Sequence, residues 1–115
     1  MLNQQTALDL TFQALADPAR RAMLERLSTG PASVSELARP LSMSMPAVLQ
    51  HLAVLEAAGL AISRKQGRVR TCEINAPAIS AAQDWLAARR AEWEQRLDRL
   101  EDYLTKLQNK DQGNG

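Results

Sequence analysis

The segment MSMPAVLQHLAVLEAAGL, residues 43–60, decides the fold. Ser44 stands as an N-cap, Pro46 falls in the first turn and Gly59 stops the run, so the spacing predicts one helix over 44–58. With Val48 at the centre of a buried stripe, Leu52 and Leu55 fall within about 40° of it. Pro46, Gln50, Ala53 and Ala57 point away, and Leu49 and Val54 take the flanks. That outward face carries no charge and one long polar side chain. It is smooth enough to enter a groove, and the B-DNA major groove admits one α-helix. Gln50 has the paired donor and acceptor that match adenine, while Ala47 and Leu49 are apolar partners for thymine methyl groups.

The flanking segments fit the same use. Before this helix, Ser33 followed by Glu36 forms a capping box, with Val34, Leu37 and Leu41 facing one way and Pro40 limiting the length. "SMS" makes a short turn. After it, "LAISRKQ" and "VRTCEIN" flank Gly67 and read as a β-hairpin whose tip is basic: Arg64, Lys65, Gln66, Arg68 and Arg70. DNA affinity comes mainly from phosphate contacts, which a helix without charge does not supply and this hairpin does. A capped short helix, a tight turn, a second helix and a basic hairpin describe a winged helix-turn-helix. The fold class expected is mainly α with a small β-hairpin and a long C-terminal dimerisation helix.

Toward the N-terminus, Leu8, Phe12 and Leu15 recur at helical spacing. Asp17 and Pro18 start a second helix with Met23, Leu24 and Leu27 inside, and Gly30-Pro31 ends it. From Pro77 the pattern is helical to about Lys110. Trp93, Leu97, Leu100, Leu104 and Leu107 are spaced 4, 3, 4, 3, a coiled-coil-like seam, with Trp85 and Leu86 adding apolar surface. One small domain has no room to bury all of this, so Leu8, Phe12, Trp85, Trp93, Leu97, Leu100 and Leu104 are expected in a dimer interface. Asp102 with Lys106 and Glu92 with Arg96 are expected as ion pairs on the outer face. The organisation expected is one domain over 1–110: residues 1–16 and 77–110 as dimerisation helices, 33–58 as the helix-turn-helix, 60–75 as the wing, and 111–115 as a flexible tail.

The totals are compatible with this and exclude other classes. The 115 residues suit one domain, and hydrophobic residues at 45 % against aromatics at 3 % make an aliphatic core that favours helices. Net charge is +1, but residues 43–76 hold four basic and two acidic groups while both flanks are balanced or acidic. One cysteine excludes an internal disulfide. No run approaches the ~18 apolar residues of a membrane helix, and no signal peptide is visible at the N-terminus, so a soluble cytoplasmic protein without membrane association is expected. No carboxylate pair, nucleophile or glycine loop forms a catalytic constellation, so no enzyme activity and no cofactor are expected.

Read together, "LADPARRAMLERL", "SVSELARPLSMSMPAVLQHLAVLEAAGLAISRKQGRVRTCEIN" and the terminal helix resemble the ArsR-type winged-helix repressors of bacteria, over about residues 8 to 105. The resemblance implies a homodimer that binds double-stranded DNA at a near-palindromic operator and represses transcription. It implies base reading from the 44–58 helix, with Ser44, Met45, Pro46, Ala47, Leu49, Gln50 and His51 as contacts, and a wing over 60–75. The family's metal-sensing members carry a Cys-x-Cys pair where this chain has Ala38 and Pro40. The family's serine two residues before the recognition-helix histidine is Leu49 here. The branch implied is one without metal sites, and no residue identifies a small-molecule effector.

Several residues carry more than one reading. His51, half inside, is a hydrogen-bonded structural residue first and a phosphate contact second; alone it makes a poor zinc site. Cys72 is a small strand residue rather than a redox switch. Arg20 and Arg21 serve equally well as phosphate contacts or as a solvated face. The rival function is a winged-helix protein-interaction module, against which the basic hairpin argues.

Overall fold

The computed structural model describes residues 4–113. In chain order the elements are α1 (Gln4–Leu15), α2 (Pro18–Leu27), β1 (Ala32–Ser33), α3 (Val34–Ala38), α4 (Met45–Ala57), β2 (Ala61–Gln66), β3 (Val69–Ile74) and α5 (Ala76–Gly113). Residues 1–3 and 114–115, to which the sequence assigns part of a dimerisation helix and of a tail, lie outside the described residues. The chain divides into two compact units, one up to Ala82 and the other from Gln83.

In the first unit, each short helix starts where a side chain satisfies the free amides of its first turn. Asp17 accepts from the amides of Ala19 and Arg20 at 2.8 and 3.1 Å, with Pro18 opening α2. Those amides, Arg20's first, hold the Asp17 carboxyl below the usual carboxylate range. Ser33 and Glu36 form the expected reciprocal box on α3, through Ser33 N to Glu36 Oε1 at 3.3 Å and Glu36 N to Ser33 Oγ at 3.1 Å. Ser44 caps α4 by accepting from the Ala47 amide at 3.4 Å.

The end of α4 is a Schellman motif. The Gly59 amide donates to Glu56 O and the Leu60 amide to Leu55 O, both at 2.9 Å, and Gly59 adopts φ +76°. Leu60 is thereby delivered into the core, and the chain reverses into β2. Asn75, at the far end of β3, donates its side-chain amide to Gly59 O at 2.6 Å and its backbone amide to Leu60 O at 2.9 Å.

The sheet is antiparallel with order β1-β3-β2. The sequence reading contained the β2–β3 hairpin but not β1, which pairs Ala32 with Cys72 and Ser33 with Thr71. Two residues give no alternation to read, and the second, Ser33, is also the N-cap of α3. The hairpin register pairs Ala61 with Ile74, Ser63 with Cys72 and Lys65 with Arg70.

The core gathers Met23, Leu24 and Leu27 of α2, Val34 and Leu37 of α3, Val48, Leu52 and Leu55 of α4, then Leu60, Ala61 and Cys72. These are the stripes expected from the sequence. On α1 the buried residues are Thr11 and Ala14, whereas Phe12 is at the surface and Leu8 and Leu15 are half-buried. Of the α1 stripe, Leu15 packs against this core as a partly buried residue. Cys72 is fully buried, and that burial raises its thiol pKa above the ordinary cysteine value.

The second unit is the remainder of α5, a helix that reaches Gly113 where the sequence implied a tail from 111. Asp111 and Gln112 contain no helix breaker, and Gly113 is the first. Its apolar side chains, from Trp85 to Leu107, are 40 to 60 % exposed. Glu92 pairs with Arg89 at 2.9 Å rather than with Arg96, and Arg90 pairs with Glu94 at 3.0 Å. The Arg89 guanidinium also lies 5.0 Å from the Trp85 ring centroid.

Gly59→Ala isolates the cost of the reversal after α4. An added Cβ would meet Ala78 Cβ at 3.8 Å, an ordinary contact, so only the backbone conformation resists. We expect a loss of about 1–2 kcal/mol in urea unfolding without change of fold. An unchanged midpoint would show that the reversal tolerates a β-carbon.

Candidate nucleic-acid interface

The site is built on α4, whose stripe of Val48, Leu52 and Leu55 has no solvent exposure. That anchoring leaves Pro46, Gln50, Ala53 and Ala57 outward and exposed, with no charge among them. Met45, Leu49 and Val54 are exposed beside them. Ala47 and His51 are half-buried on one flank, and Glu56 is half-buried on the other.

The flank that carries Glu56 faces the wing. Strand alternation puts Ser63, Lys65, Arg70 and Cys72 on one face of the hairpin, and Arg64, Gln66, Val69, Thr71 and Glu73 on the other. Arg70 donates from Nη2 to Glu56 Oε1 at 2.6 Å and from Nε to Ser63 Oγ at 3.0 Å. Ser63 Oγ in turn donates to Glu56 Oε1 at 2.8 Å. Three side chains thus tie the last turn of α4 to both strands of the wing. On the outer face Arg64 pairs with Glu73 at 3.4 Å.

The four basic wing residues therefore differ. Arg70 and Arg64 are each matched to a carboxylate. Lys65 and Arg68 are exposed and form no ion pair among the described residues. Arg68 sits in the two-residue loop with Gly67, whose φ of +61° fits a type II′ hairpin turn. A groove between α3, α4 and the wing is lined by Val34, Met45, Leu49, Arg68 and Val69.

The flank that carries His51 faces α2. His51 Nδ1 lies 3.2 Å from Arg20 Nη1 and 3.9 Å from Asp17 Oδ2. Arg20 also donates to the carbonyls of Ala14 and Gln13 at 2.7 and 3.0 Å, and Arg21 to that of Leu15 at 2.7 Å. Both arginines thereby cover carbonyls at the C-terminus of α1, a use that neither sequence reading contained. His51 has the hydrogen-bonded role expected of it.

Glu56 and Ser63 are the site residues that sequence reasoning missed, and Arg20, weighed there as a phosphate contact or a solvated face, takes a third role as the partner of His51. Their partners lie 7 to 31 residues away, and no local spacing signals them.

Comparison with known proteins places this geometry. Residues 15–64 match the helix-turn-helix domain family. The chain is 48 % identical over 73 residues to the HTH-type transcriptional regulator Rv2034 of Mycobacterium tuberculosis, covering 64 % of this chain and 68 % of that protein. The crystal structure of an ArsR family transcriptional regulator superposes with a TM-score of 0.76 at 49 % identity, covering 82 % of this chain and 97 % of that one. The chain belongs to the ArsR family of transcriptional regulators. A further relative, the transcriptional repressor SdpR of Bacillus subtilis, is 25 % identical over 75 residues, covering 65 % of this chain and 83 % of that protein. ArsR-family proteins are bacterial DNA-binding regulators with a winged helix-turn-helix, and the family is not an enzyme class. No helix among the described residues is long and apolar enough to cross a membrane.

Proposed function

We propose that this ArsR-family chain is a cytoplasmic homodimeric repressor that binds a near-palindromic operator and does not respond to metals. The uncharged outer face of α4 beside an open basic tip carries the reading. Pro46, Ala47, Leu49 and Gln50 meet base edges, Met45 lies at the start of that contact, and Ser44 and His51 lie toward the phosphates. Lys65, Gln66 and Arg68 bring the wing to the backbone, with Arg64 and Arg70 braced beside them. The Bacillus subtilis relative SdpR is a transcriptional repressor, which supports repression. The regulator is a single winged helix-turn-helix domain over 1–110 in this reading, with the wing over 60–75.

The wing separates into two kinds of arginine, and salt dependence tells them apart. Binding is measured on the duplex that the wild-type chain selects from a random-sequence pool. Arg68→Ala should weaken binding and remove about one unit from the slope of log affinity against log salt. Arg70→Ala should weaken binding with little change of slope, because its charge is already matched by Glu56. Equal slope changes would make Arg70 a phosphate ligand.

The dimer is proposed through Leu8 and Phe12 on α1 and through Trp85, Trp93, Leu97, Leu100 and Leu104 on α5. Leu100→Asp puts a carboxylate mid-seam, where burial without a partner disfavours association by several kcal/mol. One protomer reaches one half-site, and two recognition helices bind together about 34 Å apart. We expect a folded monomer by circular dichroism and light scattering, with affinity near the non-specific level. Operator binding as tight as wild type by a folded monomer would remove the dimer from the mechanism.

Metal insensitivity follows from ligand count. One buried cysteine and one histidine, on different elements, do not close a four-ligand site. Among the described residues no three of His, Cys, Asp and Glu converge in one protomer. Zinc or cadmium at stoichiometric concentration should leave the DNA complex intact in a fluorescence titration, and release of DNA would refute this.

A further inference from the structure

His51 has one ring nitrogen in use and one open. A guanidinium carries donors and no lone pair, so Nδ1 at 3.2 Å from Arg20 Nη1 is an acceptor. Asp17 Oδ2, at 3.9 Å from the same nitrogen, is beyond hydrogen-bond range and already accepts from two amides. The tautomer that fits this contact carries its proton on Nε2. No described residue pairs with Nε2, and no buried side-chain nitrogen or oxygen lacks a partner, so Nε2 opens to solvent. The side chain is 22 % exposed, which suits an edge-on donor.

Arg20 is itself held. Nε and Nη2 are spent on Ala14 O and Gln13 O, so Nη1 is aimed by the end of α1 rather than by a mobile side chain. His51 lies on the flank of α4, one helical turn beyond Ala47 and beside Gln50. When a helix lies in the major groove its flanks face the phosphates.

We propose that Arg20 is a positioning residue for DNA binding: it holds His51 as the Nε2–H tautomer and makes the ring a fixed, neutral donor to a DNA phosphate at the edge of α4. This rests on α4 being the recognition helix. Arg20 does not touch DNA. It sets which nitrogen carries the proton and which way that nitrogen points. An Nε2–H donor in this tautomer carries no charge of its own, so its contact adds affinity without releasing a counterion.

The chain has one histidine, so its ring nitrogens can be assigned by 15N NMR without ambiguity. In the free wild-type protein at pH 7.5 we expect an unprotonated Nδ1 and a protonated Nε2. Arg20→Met should turn this into a mixture of tautomers and weaken binding to the pool-selected duplex about tenfold, with the salt slope unchanged. His51→Asn keeps an acceptor for Arg20 near the Nδ1 position and has no N–H where Nε2 stood. It should preserve the fold, by circular dichroism, and lose affinity to the same degree at the same slope.

A protonated Nδ1 in wild type would overturn the proposal, as would a tautomer indifferent to Arg20→Met. Full affinity in His51→Asn would reduce the Arg20–His51 contact to packing. If wild type selects no duplex at all, the reading of α4 fails and takes this proposal with it. If wild type selects one and the variants bind it equally well, only this proposal fails.

Discussion

The helix α4 has to leave one face bare and still keep a fixed attitude, and the rest of the structure follows from how that is done. A stripe of three fully buried aliphatics, Val48, Leu52 and Leu55, restrains it against rolling. Burying each is worth about 1.5–3 kcal/mol, so the stripe supplies most of the anchoring. A stripe alone still permits rocking about its own line. Polar contacts stand on both sides of that line: Arg20 on His51 along one flank, Arg70 and Ser63 on Glu56 along the other. The first ties α4 to α1 and α2, and the second ties it to the wing.

This division also decides what the sequence could tell. Caps, stripes and the Gly59 stop are local, and they were legible: Asp17, Ser33, Ser44 and the three leucine-bearing stripes all lie where pattern puts them. The basic hairpin was legible as composition. Its charge economy was not, because pairing of Arg70 with Glu56 and of Arg64 with Glu73 depends on register and on which face each residue takes. The two-residue strand β1 was hidden for a different reason, since Ser33 reads as a cap and also pairs with Thr71. On α1, periodicity marked the stripe of Leu8, Phe12 and Leu15, whereas the residues buried within the first unit are Thr11 and Ala14. Small residues near a helix crossing carry weak hydrophobic signal yet allow close approach.

The second unit poses the opposite problem. Its seam was plain in the sequence, yet its apolar side chains are exposed along the described helix. Ion pairs such as Arg90–Glu94 are worth only tenths of a kcal/mol, and so do not hold a long helix straight by themselves. Helices of this kind draw stability from an apolar partner face, and a repeat of 4 and 3 supplies a face that another copy of itself complements. In the proposed dimer the second copy supplies that face, with the same seven-residue period on both sides.

Charge then constrains how discrimination arises. On the proposed interface the open wing cations are Lys65 and Arg68, two from each protomer, with Arg64 and Arg70 largely spent within the protein. Four phosphate contacts would give a slope of log affinity against log salt of roughly −3.6. That is a small electrostatic contribution, in keeping with a net charge of +1. Weak attraction to DNA in general leaves little affinity at random sites, so the margin between operator and bulk DNA falls to contacts that need fit: Gln50 at a base, Ala47 and Leu49 against methyl groups, and a neutral donor from His51. Each of these depends on the attitude of α4 to within a fraction of an ångström. A regulator with few free cations on its wing therefore needs its recognition helix braced on both flanks, since orientation has to supply the discrimination that the wing's charge does not.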